Sequence, residues 1–131
     1  MNGIRVRLAA VACTATLAAL SSTGTASAQP GGIDCRYLLT TYPGGFTATV
    51  LLDNTGPAVN GWALTWTFPA DTTVQGVWQS RITQPGPRSA IAVNTPWNAA
   101  IPTNTTLGFG WTAAAPATDI PTDLTINGIP C

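Results

Sequence analysis

The feature that most constrains this chain is the strict alternation of apolar and polar residues in several short segments. In the clearest segment, residues 62–68, the large apolar residues are Trp62, Leu64, Trp66 and Phe68, and Ala or Thr occupies each position between them. A period of two places every second side chain on the same side of an extended strand. No stretch longer than a turn or two carries the 3.6-residue period of a helix, so the sequence predicts an all-β domain.

Further segments repeat this pattern at regular intervals. Inward rows are predicted at Phe46, Ala48, Val50 and Leu52, at Leu107, Phe109 and Trp111, and at Leu124 and Ile126, while Ile91 and Val93 supply another short strand. Turn-forming residues separate the rows at positions 54–57, 69–71, 84–87, 94–96 and 102–104. Seven or more short strands in about 100 residues predict an antiparallel β-sandwich that forms a single module.

The charge composition excludes several classes of function. Only 8% of the 131 residues are charged, with five Lys or Arg, five Asp or Glu, and no histidine. Without histidine there is no His-based catalytic triad and no imidazole metal ligand. Five scattered arginines make no basic stripe, so a nucleic-acid partner is not expected. A surface built from Thr, Asn, Ser, Gln and Gly suits neutral, hydroxyl-rich partners.

The amino terminus has the pattern of a secretory signal peptide. Arg5 and Arg7 precede an apolar run at residues 8–20, and Ala26-Ser27-Ala28 follows as an A-x-A cleavage site. The run of about 13 residues is shorter than the ~20 that a membrane-spanning helix needs, which argues against the alternative of an uncleaved anchor. We therefore expect a signal peptide at residues 1–28 and a secreted mature domain at residues 29–131, free of the membrane after cleavage.

Two cysteines, Cys35 and Cys131, stand near the two ends of the mature chain. In an exported protein such a pair is expected to form one disulfide. The alternative of a thiol redox site needs a CxxC-type arrangement, which the chain lacks. The disulfide would close nearly the whole domain into one loop, and in the chain-entropy model it adds roughly 4 to 5 kcal/mol of stability.

The strand pattern divides the large aromatic residues into two groups. Trp62, Trp66 and Trp111 fall in inward rows and are predicted to be core residues. The second group lies outside these rows, in turn-like or polar surroundings, and comprises Tyr42, Trp78 and Trp97. Loops could bury these three as caps over the ends of the sandwich. Alternatively, they form a platform on which the apolar faces of sugar rings stack.

The sequence also resembles a known family over essentially all of the mature chain. The matching stretches are Cys35, residues 45–47, 60–68, 76–78, 83–84, 94–98, 101–102, 109–111, 121–122 and 127–128, and Cys131. They are similar in order and spacing to the family 2 carbohydrate-binding modules, the bacterial cellulose-binding type. The resemblance implies an immunoglobulin-like jelly-roll sandwich closed by a disulfide, with one flat face bearing three exposed aromatics. Its three platform positions fall on Tyr42, Trp78 and Trp97.

Details of the resemblance favour cellulose as the ligand, with chitin or xylan as other candidate polysaccharides. The xylan-binding type carries an arginine where this chain has Gly45 and lacks the middle aromatic, which is present here as Trp78. The chain also departs from the family pattern. Tyr42 stands where tryptophan is usual, and Gly108 and Thr112 occupy places where relatives carry polar amides. The resemblance therefore implies a cellulose-binding module with fewer hydrogen-bonding side chains.

Catalysis is not expected from this chain, although such modules are usually fused to glycoside hydrolases. Glycosidic hydrolysis needs two carboxyl groups that face each other, and the aspartates lie mostly in turns or beside strand ends. Asp119 and Asp123 flank a proline in one loop and are interpreted as a structural pair. No cofactor, metal or calcium site is predicted. The domain is expected to be a monomer. The alternative function is a secreted recognition or structural protein that binds chitin, another cell-wall glycan or a protein.

Overall fold

The alternating segments form the longest strands of the domain. The structure is a computed structural model that describes residues 32–131; the predicted signal peptide at residues 1–28 lies outside this range. Its strands are β1 (Ile33–Tyr42), β2 (Gly45–Asn54), β3 (Val59–Asn60), β4 (Ala63–Thr67), β5 (Thr73–Trp78), β6 (Arg81–Thr83), β7 (Ser89–Val93), β8 (Ala100–Ile101), β9 (Thr105–Ala114), β10 (Thr125–Ile126) and β11 (Ile129–Pro130). Within the described range no helix is long and apolar enough to cross a bilayer.

Two antiparallel sheets enclose the core, which confirms the predicted β-sandwich. One sheet has the order β1-β2-β9-β5 and the other the order β11-β10-β4-β7-β6, while β3 and β8 form a separate two-stranded ribbon. The ten residues of β2 pair with β1 on one side and with β9 on the other. A sandwich of this kind buries one face of each sheet and exposes the other, so the first sheet offers a broad surface of adjacent strands to solvent.

The core consists largely of aromatic rings that stack between the sheets. Trp66 and Trp111 are stacked with their ring centroids 4.7 Å apart, and Trp62 stacks on Phe109 at 5.2 Å. All three tryptophans predicted to be core residues are buried. Because their strands alternate strictly, the neighbouring residues of β2, β4 and β9 must point outward.

The short strand predicted at Ile91 and Val93 is present as β7, but the residues that it buries are Ala90 and Ala92. Ala90 lies opposite Trp66 in the register of β4 and β7. Small side chains fit here because the indole of Trp66 already fills the space between the sheets.

Tyr42 differs from its predicted position in a turn, because it is the last residue of β1. The segment that became β1 has adjacent leucines at Leu38 and Leu39, which obscure its alternation. In the structure Tyr37 is buried in an edge-to-face contact with Trp111, with the two ring centroids 5.6 Å apart, while Leu38 is exposed on the opposite side. Tyr42 therefore lies at the end of a ten-residue strand rather than in a loop.

The predicted disulfide is confirmed. Cys35 and Cys131 are joined by an S–S bond of 2.02 Å, with their Cα atoms 5.3 Å apart and 96 residues between them in the sequence. The bond attaches Cys131 to the beginning of β1, whereas Tyr42 is the last residue of that strand. It therefore braces the domain at the end of β1 that lies away from Tyr42.

Candidate functional site

The solvent-facing side of the sheet β1-β2-β9-β5, here called the outer face, carries two of the three candidate aromatics. Leu38, Thr49, Gly110 and Trp78 form one cross-strand row, and Tyr42, Gly45, Ala114 and Thr73 form another. The two rows are four residues apart along β2, so their side chains point to the same side. With about 3.4 Å per residue and about 4.8 Å per strand, the Cα atoms of Tyr42 and Trp78 are about 20 Å apart.

Trp78 ends the edge strand β5, and its side chain extends back over the neighbouring strand. A Cβ atom added to Gly110 would overlap Cζ2 of Trp78 and would lie 2.6 Å from Cε2. The indole therefore rests directly on the backbone of β9, at a place where only glycine leaves room for it. Since 41% of Trp78 stays exposed, one side of the ring is covered by the sheet and the other side is open to a ligand.

Tyr42 is fixed against the start of β2 in a similar way. Its hydroxyl donates a hydrogen bond of 3.1 Å to the carbonyl oxygen of Phe46. A Cβ on Gly45 would lie 3.1 Å from Cε2 of Tyr42, so a second glycine lies beneath an aromatic ring. Gly44, with a φ of 83°, provides the tight turn from β1 into β2. Tyr42 is 47% exposed, and its orientation is set by the contacts of its hydroxyl and of the adjacent Cε2.

Trp97 lies in the loop between β7 and β8 and is 73% exposed, more than any other large apolar side chain in the described range. Its loop is held by Asn98, whose Oδ1 accepts hydrogen bonds from the Thr95 amide and hydroxyl, both at 2.8 Å. Trp62 in the core donates from Nε1 to the Asn98 carbonyl oxygen at 3.0 Å. An almost fully exposed ring therefore sits on a loop that is tied to the interior.

Gln79 links the Trp97 loop to the end of β5. Its side-chain Oε1 accepts a hydrogen bond of 2.9 Å from Trp97 Nε1, and its backbone carbonyl accepts one of 2.7 Å from Asn98 Nδ2. Because Gln79 directly follows Trp78, these bonds bring the Trp97 loop next to Trp78. The structure thus places Tyr42 and Trp78 on one face and Trp97 beside Trp78. We refer to Tyr42, Trp78 and Trp97 as the aromatic trio.

The remainder of the outer face between these rings is neutral and small. Thr47 and Thr49 of β2 and Thr112 of β9 face outward and are half-buried. Thr112 accepts a hydrogen bond from the Gly76 amide at 3.0 Å through its hydroxyl oxygen. Gly108 lies on the same face beside Leu51. The two departures from the family pattern, Gly108 and Thr112, thus lie on the outer face, where they are smaller than the amide side chains of relatives.

Charges on this face are confined to the end far from Tyr42. Arg36 Nε lies 3.1 Å from Asp53 Oδ2, and the Thr106 hydroxyl donates to Asp53 Oδ1 at 2.5 Å. The hydrogen bond from Thr106, and then the charge of Arg36, hold the pKa of Asp53 below its usual range. The charges of Arg36 and Asp53 are therefore paired with each other.

The carboxylates of the domain serve local structure. Asp71 pairs with Arg88 at 3.0 Å, Asp119 Oδ1 accepts a hydrogen bond from the next amide in its own turn, and Asp123 Oδ1 accepts one from the Thr67 amide at 3.0 Å. Within residues 32–131, no three His, Cys, Asp or Glu side chains come together as a metal site. The interpretation of Asp119 and Asp123 as structural residues agrees with these contacts.

Sequence reasoning did not identify Gln79 or Gly110 as parts of this site. Gly110 carried a usable signal, because a glycine in the outward phase between Phe109 and Trp111 leaves space above a strand. Gln79 carried none, since its two hydrogen bonds are made to residues 18 and 19 positions away.

Comparison with known proteins identifies the family. A family model described as the cellulose binding domain matches residues 33–131. Exoglucanase A of Cellulomonas fimi is 32% identical over 112 residues, which cover 84% of this chain but only 13% of that enzyme. The chain therefore spans a small fraction of the length of the curated relatives that it matches first.

Two solved structures share the fold. The NMR structure of the cellulose-binding family 2 carbohydrate binding domain from ScLPMO10C is 31% identical, with a TM-score of 0.56, and the alignment covers 77% of this chain and 95% of that domain. The chitin-binding domain of Chi18aC from Streptomyces coelicolor is 25% identical, with a TM-score of 0.62, covering 75% and 92%. One of these relatives is named for cellulose and the other for chitin.

Proposed function

The chain belongs to the cellulose binding domain family, whose members are non-catalytic binding modules, and on that premise we propose that the aromatic trio binds insoluble polysaccharide, foremost crystalline cellulose. The observation that carries this proposal is the way two of the rings are held. Trp78 packs over Gly110 and Tyr42 packs against Gly45, yet both rings stay partly exposed to solvent. An open aromatic face beside a neutral surface suits the apolar face of a sugar ring.

The energetics favour a polymer over a single sugar. If each ring removes roughly 80 to 100 Å² of apolar surface from water, the gain is about 2 to 2.5 kcal/mol per ring. Three rings give roughly 6 to 7.5 kcal/mol before the cost of association is subtracted. A monosaccharide can contact only one ring, whereas a long chain or a crystal face can contact all three at once.

This mode of binding needs neither charge nor chemical reaction. The Arg36–Asp53 pair at the far end of the outer face is already satisfied, and the trio contains no Asp, Glu, Lys, Arg or His. Dispersion and apolar burial are not screened by salt, in contrast to ion pairs. We therefore expect adsorption to persist at high ionic strength.

A depletion assay tests the proposal. The mature protein is mixed with crystalline cellulose, chitin or xylan, the solid is removed by centrifugation, and the protein left in solution is measured. We expect depletion by cellulose for the wild type and loss of depletion for Trp78→Ala and for Trp97→Ala. Val93→Ala is the matched control, because Val93 is also partly exposed, at 37%, but lies on the outside of the other sheet. If no polymer depletes the wild type, or both tryptophan variants bind unchanged, the proposal is wrong.

Chitin is the second candidate ligand. The solved structure named as a chitin-binding domain aligns with a higher TM-score, 0.62, than the cellulose-binding one, 0.56. The sequence identity runs the other way, at 25% against 31%. The adsorption constants for cellulose and chitin, measured at equal surface area, decide between the two ligands. If the protein binds chitin more tightly, chitin replaces cellulose as the main ligand.

We further propose that residues 1–28 are removed on export and that residues 29–131 act outside the cell as a monomer. The Cys35–Cys131 disulfide supports an oxidising compartment, in which such bonds persist. Mass spectrometry of the protein recovered from the culture medium tests this proposal. The expected amino terminus is Gln29, and a retained amino-terminal segment would contradict it.

A further inference from the structure

Gln79 is unusual in its backbone as well as in its contacts. It has a φ of 62°, in the left-handed region that residues with a Cβ seldom adopt. The residue is exposed, so burial of its side chain does not compensate for this conformation. At this φ a residue with a Cβ atom lowers the stability of the fold relative to glycine. Such a conformation is kept only where contacts with the surrounding structure maintain it.

The interactions that Gln79 makes are directed at the Trp97 loop. The indole N–H of Trp97 can only donate, so the Gln79 atom that faces it at 2.9 Å must be the amide oxygen. The backbone carbonyl of the same residue accepts from Asn98 Nδ2 at 2.7 Å. The left-handed turn thus directs two acceptors of one residue toward one loop.

These contacts matter because little else restrains the Trp97 ring. With 73% of its surface exposed, the ring has few packing neighbours to restrict its rotamers. A side chain that is ordered only when it binds loses rotamer freedom at that moment, and this loss weakens binding. A hydrogen bond that holds the ring beforehand removes part of that loss.

We propose that Gln79 is a positioning residue for polysaccharide binding, which fixes the orientation of Trp97 relative to Trp78. Its covalent link to Trp78 and its side-chain bond to Trp97 make it the connection between two members of the aromatic trio. The inference rests on the proposed function of the trio and adds a residue that does not itself stack on the ligand.

Three substitutions separate the side chain from the backbone. Gln79→Met keeps the length but removes the acceptor, and we expect adsorption to weaken about 3- to 10-fold, as expected for one side chain left to be ordered on binding. Gln79→Glu keeps an oxygen acceptor and should stay within about 2-fold of the wild type. Gln75→Met is the matched control, an exposed glutamine on β5, and should bind as the wild type does.

Gln79→Gly gives the sharpest outcome, because stability and binding should move in opposite directions. Glycine relieves the left-handed conformation, so the Tm should rise by about 4 to 8 °C. The loss of the acceptor should weaken adsorption as much as Gln79→Met does. A merely structural role for Gln79 would instead leave binding unchanged as the Tm rises, and that result would overturn the inference.

The indole N–H signal of Trp97 in NMR spectra provides a readout that does not depend on any ligand. In Gln79→Met we expect it to shift and its order parameter to fall, while Gln79→Glu retains order. Trp97→Ala in the same adsorption assay tests the proposed function separately. If Trp97→Ala abolishes adsorption but Gln79→Met binds normally with an ordered indole, the inference about Gln79 is wrong and the proposed function stands. If Trp97→Ala adsorbs normally, the inference about Gln79 is overturned, and if Trp78→Ala does so as well, the proposed function fails with it.

Discussion

The buried and the exposed tryptophans of this domain are held in different ways. Trp66 and Trp111 have both sides of the indole covered, and they stack on each other with centroids 4.7 Å apart. Trp78 has one side on the backbone at Gly110 and the other side open, and Trp97 is held mainly through its edge. The difference teaches that the number of covered sides decides whether an indole contributes to folding or remains available for a ligand.

The indole nitrogens also differ between the buried and the exposed rings. The buried Nε1 atoms of Trp66 and Trp111 have no hydrogen-bond partner among the described residues, whereas the exposed Trp97 bonds Gln79 through Nε1. An unpaired buried N–H costs about 1 to 3 kcal/mol, which the burial of a large ring can offset. For an exposed ring the N–H bond serves a different purpose, because it sets orientation.

The largest expected effect is on folding and concerns the interior. Trp111→Ala should lower the free energy of unfolding by about 3 to 5 kcal/mol, since it removes a fully buried ring that contacts both sheets. Denaturant titration followed by circular dichroism measures this change. A loss below about 1 kcal/mol would mean that the stacked core tolerates a large void and would break the distinction drawn here.

The same substitution at the exposed end should affect binding instead. Trp97→Ala should weaken adsorption to cellulose about 30- to 70-fold, the equivalent of the 2 to 2.5 kcal/mol assigned to one ring. Because the ring is mostly exposed, the free energy of unfolding should change by less than about 1 kcal/mol. Adsorption isotherms and denaturant titration on the same preparation check both values. A large loss of stability would place Trp97 with the core group.

Gly110→Ala tests the intermediate case, in which one side of an indole is covered. The added methyl group would displace Trp78 and would also lie 2.6 Å from the Ala48 carbonyl oxygen. We expect a loss of about 1 to 3 kcal/mol in stability and weaker adsorption, because the tilted ring presents less of its face.

Repeating Gly110→Ala in a Trp78→Ala background separates the two clashes. Without the indole only the contact with Ala48 remains, so the cost of the methyl group should fall by at least about 0.5 kcal/mol. Strictly additive effects would show that Gly110 is required by the sheet alone and that Trp78 does not rest on it.

The smallest effect concerns pH and should leave the trio untouched. Hydrogen bonding from Thr106, together with Arg36, lowers the pKa of Asp53. Burial alone would raise the pKa of Asp123, but the hydrogen bonds from Thr67 and from its own backbone amide together more than offset this effect and lower the pKa. A depressed pKa in the folded state stabilises the protein above the ordinary value near 4, and this contribution is lost as the pH falls through the folded-state pKa.

The Tm should therefore stay level from pH 7 to pH 5 and decrease below about pH 4. Thermal scans of the wild type and of a variant with Asp53→Asn and Asp123→Asn measure the slope, which should be shallower in the variant. An equal slope in both would show that other groups carry the acid sensitivity.

Much of the fold could be predicted because its strands are locally patterned. The inward rows of β2, β4 and β9 follow from alternation alone, and the disulfide follows from two cysteines in a chain with a predicted signal peptide. The predicted exposure of the trio is also confirmed, since each of its rings is open to solvent. Its role in binding remains a prediction.

The rest depends on contacts between residues that are distant in sequence. The adjacent leucines of β1 obscure its alternation, and the Pro43-Gly44-Gly45 that follows Tyr42 is the reason why a turn is predicted there. The indole over Gly110 comes from another strand, and the left-handed conformation of Gln79 is maintained by a loop 18 residues away. Local propensity carries no information about such contacts.

The central pairing of β2 with β9 has a consequence for the time at which the outer face becomes available. Gly45 pairs with Ala114 and Asn54 with Thr105, so the middle of the sheet forms only after the chain has closed very long loops. Domains dominated by such distant pairings fold on the scale of milliseconds to seconds. Trp78 gains its support from β9 when β5 pairs with that strand, which brings Trp78 opposite Gly110. Adsorption to a polysaccharide surface during refolding would therefore report the moment at which the outer face has formed.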